Sequence, residues 1–160
     1  ELSMIFSIGL LIPGFGYLVT SGRINQDGFL FFIPFMLYGL AFILTVELPD
    51  MESDRLGGKM TWVAQKGRSF GFTLIAASFL FATVFFLFFP LLTSRNYPVD
   101  FRFLGVLSLL PLGAGCIGLL KRPSEKPSAT RVVNGIMITL AVFLILVDGY
   151  VVSLAVGQML

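Results

Sequence analysis

Glu47-Leu48-Pro49-Asp50-Met51-Glu52-Ser53-Asp54-Arg55-Leu56-Gly57-Gly58-Lys59-Met60-Thr61 is a charged segment set between two segments apolar enough to cross a membrane. Four of the nine acidic residues of the chain fall within eight positions of it, while charge is scarce elsewhere. Glu47, Asp50 and Asp54 are spaced i, i+3, i+7, so on a helix they share one face and point at one small volume. Mg²⁺ needs only one or two carboxylates, with waters and substrate phosphate oxygens completing its shell. The spacing therefore predicts a metal-assisted phosphate site, with Asp50, Asp54 and Glu47 as candidate metal ligands. Arg55 and Lys59, four positions apart, are candidate donors to the same phosphates, and Gly57-Gly58 lets the backbone turn sharply after the helix end. The competing reading is a solvated loop with internal salt bridges, which gives less reason to concentrate acids in this way.

Composition sets the frame for that segment. The 160 residues are 56% hydrophobic and only 12% charged, with mean hydropathy +0.92, whereas a soluble domain carries about 25% charged residues. The chain reads as an integral membrane protein. With no histidine, a Ser-His-Asp triad and histidine-ligated zinc are excluded. Carboxylates, Lys, Arg, Tyr and hydroxyls remain for chemistry. Cys116 is the only cysteine, so no intrachain disulfide can form, and it reads as a small packing residue. A net charge of +2, without a basic patch interleaved with aromatics, argues against a nucleic-acid partner.

Five apolar runs reach or approach the ~20 residues that a bilayer core requires, at positions 2–19, 29–46, 70–92, 103–120 and 132–156. Backbone in lipid must satisfy its own hydrogen bonds, so the runs are expected to be five transmembrane helices in a single region covering residues 1–160. Pro13, Pro34, Pro90 and Pro111 lie inside them and are expected to bend them. Of the eleven Lys and Arg, eight fall in the second and fourth connectors, and three (Arg23, Arg95, Arg102) in the first and third. By the positive-inside rule the second and fourth connectors, and with them the acidic motif, face the cytoplasm. Residues 121–131 read as a short exposed loop. Positions 2–19 lack the basic n-region of a cleavable signal peptide. The chain opens on Glu1 and enters an apolar run at once, as expected of a segment from within a longer protein.

The string Glu47-Leu-Pro-Asp50-x-x-x-Asp54-Arg55-x-x-Gly58-Lys59-x-Thr61 resembles the second aspartate-rich motif of the UbiA superfamily of intramembrane prenyltransferases, in the style of its menaquinone-pathway branch. Gly14-Phe-Gly-Tyr17 and Gly22, before a long apolar run, are similar to the helix that precedes that motif's helix. The resemblance implies an all-α bundle of nine membrane helices, of which these five are the last. It also implies two aspartate-rich motifs that bind Mg²⁺ and the diphosphate of a polyprenyl diphosphate. Ionisation of the allylic diphosphate gives a carbocation that alkylates an acceptor, often a small aromatic or lipid quinone precursor. On this resemblance Asp50 and Asp54 match the metal-associated, catalytic aspartates, and Arg55 and Lys59 match phosphate contacts. Glu47 is added from its helical phase alone. Tyr38, on the helix leading to the motif, is a candidate to stabilise the substrate cation through its ring face.

The chain departs from the family in lacking the first motif, N-x-x-x-D-x-x-x-D. Asn25 and Asn134 have no Asp four residues on, and Asn96 has Asp100 but then Leu104, in a connector on the other side of the membrane. A missing N-terminal portion of the same protein would supply it, and the segment alone would be inactive. Asp148, inside the last run, is either a functional intramembrane acid or an Asp near the outer helix end. Asn134 either borders the cavity or caps its helix. A CDP-alcohol phosphotransferase would need D-G-x-x-A-R upstream of Asp50, which is absent. A cation transporter using Asp50, Asp54 and Asp148, and a non-catalytic membrane scaffold, stay open as alternatives.

Overall fold

The structure, a computed structural model, describes residues 2–22, 26–92 and 99–157. Arg23, Asn25, Arg95 and Asn96 lie outside the described residues. Among the described residues every regular element is helical: α1 (Leu2–Phe6), a π-helical turn (Ser7–Leu11), α2 (Ile12–Ser21), α3 (Gln26–Leu56), α4 (Trp62–Lys66), α5 (Arg68–Leu92), α6 (Phe101–Leu107), α7 (Leu109–Lys121) and α8 (Lys126–Gly157). Among the described residues four stretches are long and apolar enough to cross a membrane: Phe32–Leu56, Arg68–Leu91, Phe101–Lys121 and Lys126–Leu154. The chain is a multi-pass integral membrane protein.

The first of the five expected spans differs from the rest. Its apolar helix, Leu2–Gly16, is shorter than the other four, and the π turn widens the backbone at Ser7–Leu11, with Ile12 N–H donating to the Ser7 carbonyl. Gly9 lies in that turn against α3. A Cβ there would stand 2.3 Å from Met36 Cα, so only glycine lets the two backbones approach this closely.

The second and fifth spans run further than their apolar residues indicate. α3 continues ten residues beyond Val46, through Pro49 to Leu56, so the charged motif is the end of a membrane helix and not a connector. α8 begins at Lys126, which shortens the expected 121–131 loop to residues 122–125. In the fourth span Pro111 has no N–H to offer the Leu107 carbonyl, and α6 ends at Leu107. Ser108 occupies the break fully buried, with its Oγ 2.9 Å from Thr83 Oγ1 and donating to the Gly105 carbonyl at 2.7 Å. The buried Ser108 hydroxyl thus finds its partners inside the bundle.

α3 and α5 form the central pair, with Ala41, Leu44 and Leu48 packed on Phe72, Ile75 and Phe79. α8 closes over them with a helical stripe, Ala129, Val133, Ile136, Leu140, Phe143 and Val147, spaced three and four apart. Its other face is equally apolar, Ile138 being 64% and Ile145 69% exposed. An exposed apolar face of this extent suits hydrocarbon and not water. Cys116 also faces outward, which corrects its reading as a packing residue.

The helix ends sort as the charge count requires. Arg68 Nη1 donates to the Ser124 carbonyl at 2.7 Å, which joins the second and fourth connectors at one end of the bundle. At the other end Asp100 caps α6, and its N–H donates to the Tyr150 hydroxyl at 2.8 Å. In a Cys116→Ala background, Ser53→Cys and Ser128→Cys should be labelled by an impermeant maleimide from one side of sealed vesicles, and Arg102→Cys from the other. Labelling of Ser53→Cys and Arg102→Cys from the same side would contradict this arrangement.

Candidate functional site

The motif occupies the last three turns of α3, and its own residues end the helix. Gly58 adopts a left-handed conformation (φ 73°), Gly58 N–H donates to the Arg55 carbonyl at 3.2 Å, and Lys59 N–H to the Asp54 carbonyl at 2.8 Å. This crossed pair is a Schellman cap, which favours glycine at the left-handed position because a Cβ there is strained. The sharp turn expected at Gly57-Gly58 is present. It carries the chain into α4, whose N-terminus is capped by Thr61 Oγ1 accepting from Ala64 N–H at 3.1 Å.

The charged side chains of the motif have distinct surroundings. Asp50 is exposed, the Asp54 side chain is only 14% exposed, and Glu47, at 6%, is buried among the helices. The helical phase places the three carboxylates along one side of α3, yet burial separates Glu47 from the two aspartates. Among the described residues no group of three or more Asp, Glu or Cys side chains is placed to hold a metal ion. Asp50 and Asp54, one turn apart at the polar end of the helix, fit the smaller donor set that Mg²⁺ accepts, one or two carboxylates with the remaining ligands from water and phosphate.

Both candidate phosphate donors are engaged within the protein. Lys59 Nζ lies 3.2 Å from Asp54 Oδ2, its own side chain being 61% exposed. Exposed pairs of this kind contribute about 0–1 kcal/mol, so a phosphate could displace Lys59 at little cost. Arg55 Nε donates to the Ala64 carbonyl, holding α4 against the end of α3.

Tyr38 stands apart from these groups. It precedes Asp50 by twelve residues, about 18 Å along the helix axis. Its ring is buried among Phe143 (centroids 4.9 Å apart), Phe79 (5.7 Å) and Phe86 (6.4 Å). The ring is a core element, too far from the motif to face a cation formed beside Asp50. Asp148 is exposed near the opposite end of α8, two residues before Tyr150. Asn134 is exposed well inside α8, so it caps nothing.

The residue that organises the site is Arg68, which the sequence offered only as a connector charge. It is 6% exposed. Its Nε donates to the Leu48 carbonyl at 3.2 Å, Nη1 to the Ser124 carbonyl, and Nη2 to Glu52 Oε2. One guanidinium thus ties the motif helix, the start of α5 and the loop before α8. Glu52 and Arg68 are sixteen residues apart with a turn between them, so no local periodicity links them, and only the acidic start and basic end of the second connector hint at a pair.

Replacing Arg68 by Met should destabilise the protein by about 2–4 kcal/mol, because the buried Leu48 carbonyl and the part-buried Ser124 carbonyl each lose a donor and Glu52 loses its partner. Glu52→Gln, whose side chain is 47% exposed, should cost about 1 kcal/mol or less. Thermal unfolding of the detergent-solubilised variants checks both values, and equal losses would be inconsistent with a buried arginine bridging three segments. No protein-family model, curated protein or solved structure matches the chain.

Proposed function

We propose that the chain is the C-terminal part of a UbiA-type intramembrane prenyltransferase, which transfers a prenyl group from a polyprenyl diphosphate to a small aromatic or lipid acceptor with Mg²⁺. The observation that carries this reading is the position of Asp50 and Asp54. They lie one turn apart on a membrane helix that emerges at the basic end of the bundle. In this reading Leu2–Ser21, about 30 Å of helical path at 1.5 Å per residue, is the first of the five spans, and the Asp50/Asp54 end faces the cytoplasm.

The residues divide the work by place. Asp50 and Asp54 would hold Mg²⁺, which when bound supplies positive charge against the oxygens of the departing diphosphate. Lys59, freed from Asp54, adds a cation to the same oxygens, and Arg55 keeps α4 in place beside them. The apolar bundle accepts the prenyl chain, worth about 0.8 kcal/mol per CH₂ removed from water, and keeps water from the reacting carbon. Glu47 and Tyr38 serve this account as buried supports of the motif helix. The transporter reading has less support, since Asp148 and the Asp50/Asp54 pair sit at opposite ends of the bundle.

In the complete protein, with any upstream portion included, prenyl transfer from radiolabelled polyprenyl diphosphates to a panel of aromatic acceptors should require Mg²⁺. It should fall on the order of 100-fold or more in Asp50→Asn or Asp54→Asn, the scale on which removing one stabilising group at a charge-developing site acts. Transfer that survives a chelator and both substitutions would overturn the proposal.

A further inference from the structure

At the same end of the bundle as the motif, but on the α7/α8 side, a groove of about 800 Å³ opens between the end of α7 and the start of α8. Its rim carries Lys121, Arg122 and Arg131, set against the single carboxylate of Glu125. Among the described residues none of the three cations is in an ion pair. Arg122 Nε donates to the Leu119 carbonyl at 3.0 Å, which leaves its terminal nitrogens to other partners. The floor is apolar, formed by Ala114, Ile117, Val132 and Ile136, with Gly135 leaving room in the middle. These floor residues belong to membrane-spanning stretches, and the rim residues stand at the ends of those stretches.

We propose that this groove binds the headgroup of an anionic phospholipid. The argument is one of matched layers. A phospholipid at this leaflet presents a phosphate at the depth of the rim and acyl chains at the depth of the floor, and a basic pocket between membrane helices is the arrangement that selects anionic headgroups. Arginine offers phosphate a planar fork of donors and lysine a mobile point charge, while Ser128 adds a hydroxyl to the rim. Arg122 adopts a left-handed backbone conformation (φ 37°, ψ 55°) as the C-cap of α7, where glycine is preferred. A side chain is present at a position where the backbone favours none. The Arg68–Ser124 bond fixes the loop that carries this rim. The inference is independent of the prenyltransferase reading, because it uses neither Asp50 nor Asp54.

The test is native mass spectrometry of the full chain released from nanodiscs of phosphatidylglycerol and phosphatidylcholine in equal amounts. The wild type should retain phosphatidylglycerol preferentially. Each Lys or Arg near an anionic surface contributes roughly fivefold, so Lys121→Gln/Arg122→Gln/Arg131→Gln should weaken retention on the order of 100-fold at low salt. A second variant guards against misfolding of the first. A Cβ at Gly135 meets nothing within 4 Å, so Gly135→Leu fills the groove without changing charge or opposing the helix, and it should also lose the bound lipid. A third arm adds inorganic phosphate, which should not displace the lipid, since the floor holds only a ligand with a tail. Equal retention of the two lipids, displacement by millimolar phosphate, or full retention by the folded Gly135→Leu variant would each overturn the proposal.

Discussion

A guanidinium buried at a membrane boundary is costly unless its donors are met, and Arg68 meets this demand by drawing three segments together. Its bonds to the Leu48 carbonyl, Glu52 and the Ser124 carbonyl reach the motif helix and the loop before α8 from the first residue of α5. Hydrophobic packing alone cannot set such a register, because within lipid the helices gain little from burying apolar surface against one another. A directional, charge-assisted contact at the end of the bundle supplies what the apolar stripes leave undetermined.

The same contact explains why the motif is presented as a rigid helix. α3 leaves the apolar region near Val46 and passes through Pro49, which cannot donate to the Thr45 carbonyl. A lone polar extension with such a defect would fray. It is held instead on two sides, by Arg68 on Leu48 and Glu52 and by Arg55 on Ala64, while the Schellman cap at Gly58 closes its end. Asp50 and Asp54 are therefore carried on a supported surface, the condition a binding constellation needs.

Much of this was legible from residue order, and the gaps have physical causes. Hydropathy located the four long spans, because a bilayer imposes a length that composition reveals, and the clustering of Lys and Arg paired the connectors that Arg68 joins in space. Helical phase put Asp50 and Asp54 on one side of α3. Where Glu47 differs, depth decides, since residues sharing a face can still lie at different levels of burial. The motif looked like a connector because a hydropathy reading ends a helix where charge begins, although a helix may project beyond the bilayer when tertiary bonds hold it. Pro111 announces the break that Ser108 fills, whereas the close approach of Gly9 to Met36 and the Glu52–Arg68 pair depend on contacts between distant segments, which sequence spacing does not encode. Position on the motif's helix makes Tyr38 a candidate site residue, whereas three phenylalanines from two other helices enclose it.

The central claim, that Arg68 holds the motif helix and the loop before α8 in place, is tested most directly by hydrogen exchange of wild type and Arg68→Met in the same nanodiscs. Exchange should accelerate together in residues 48–66 and 122–128 and stay unchanged in the apolar middle of α5 and α8. Unaltered exchange in both terminal segments, or uniform acceleration throughout the chain, would contradict it.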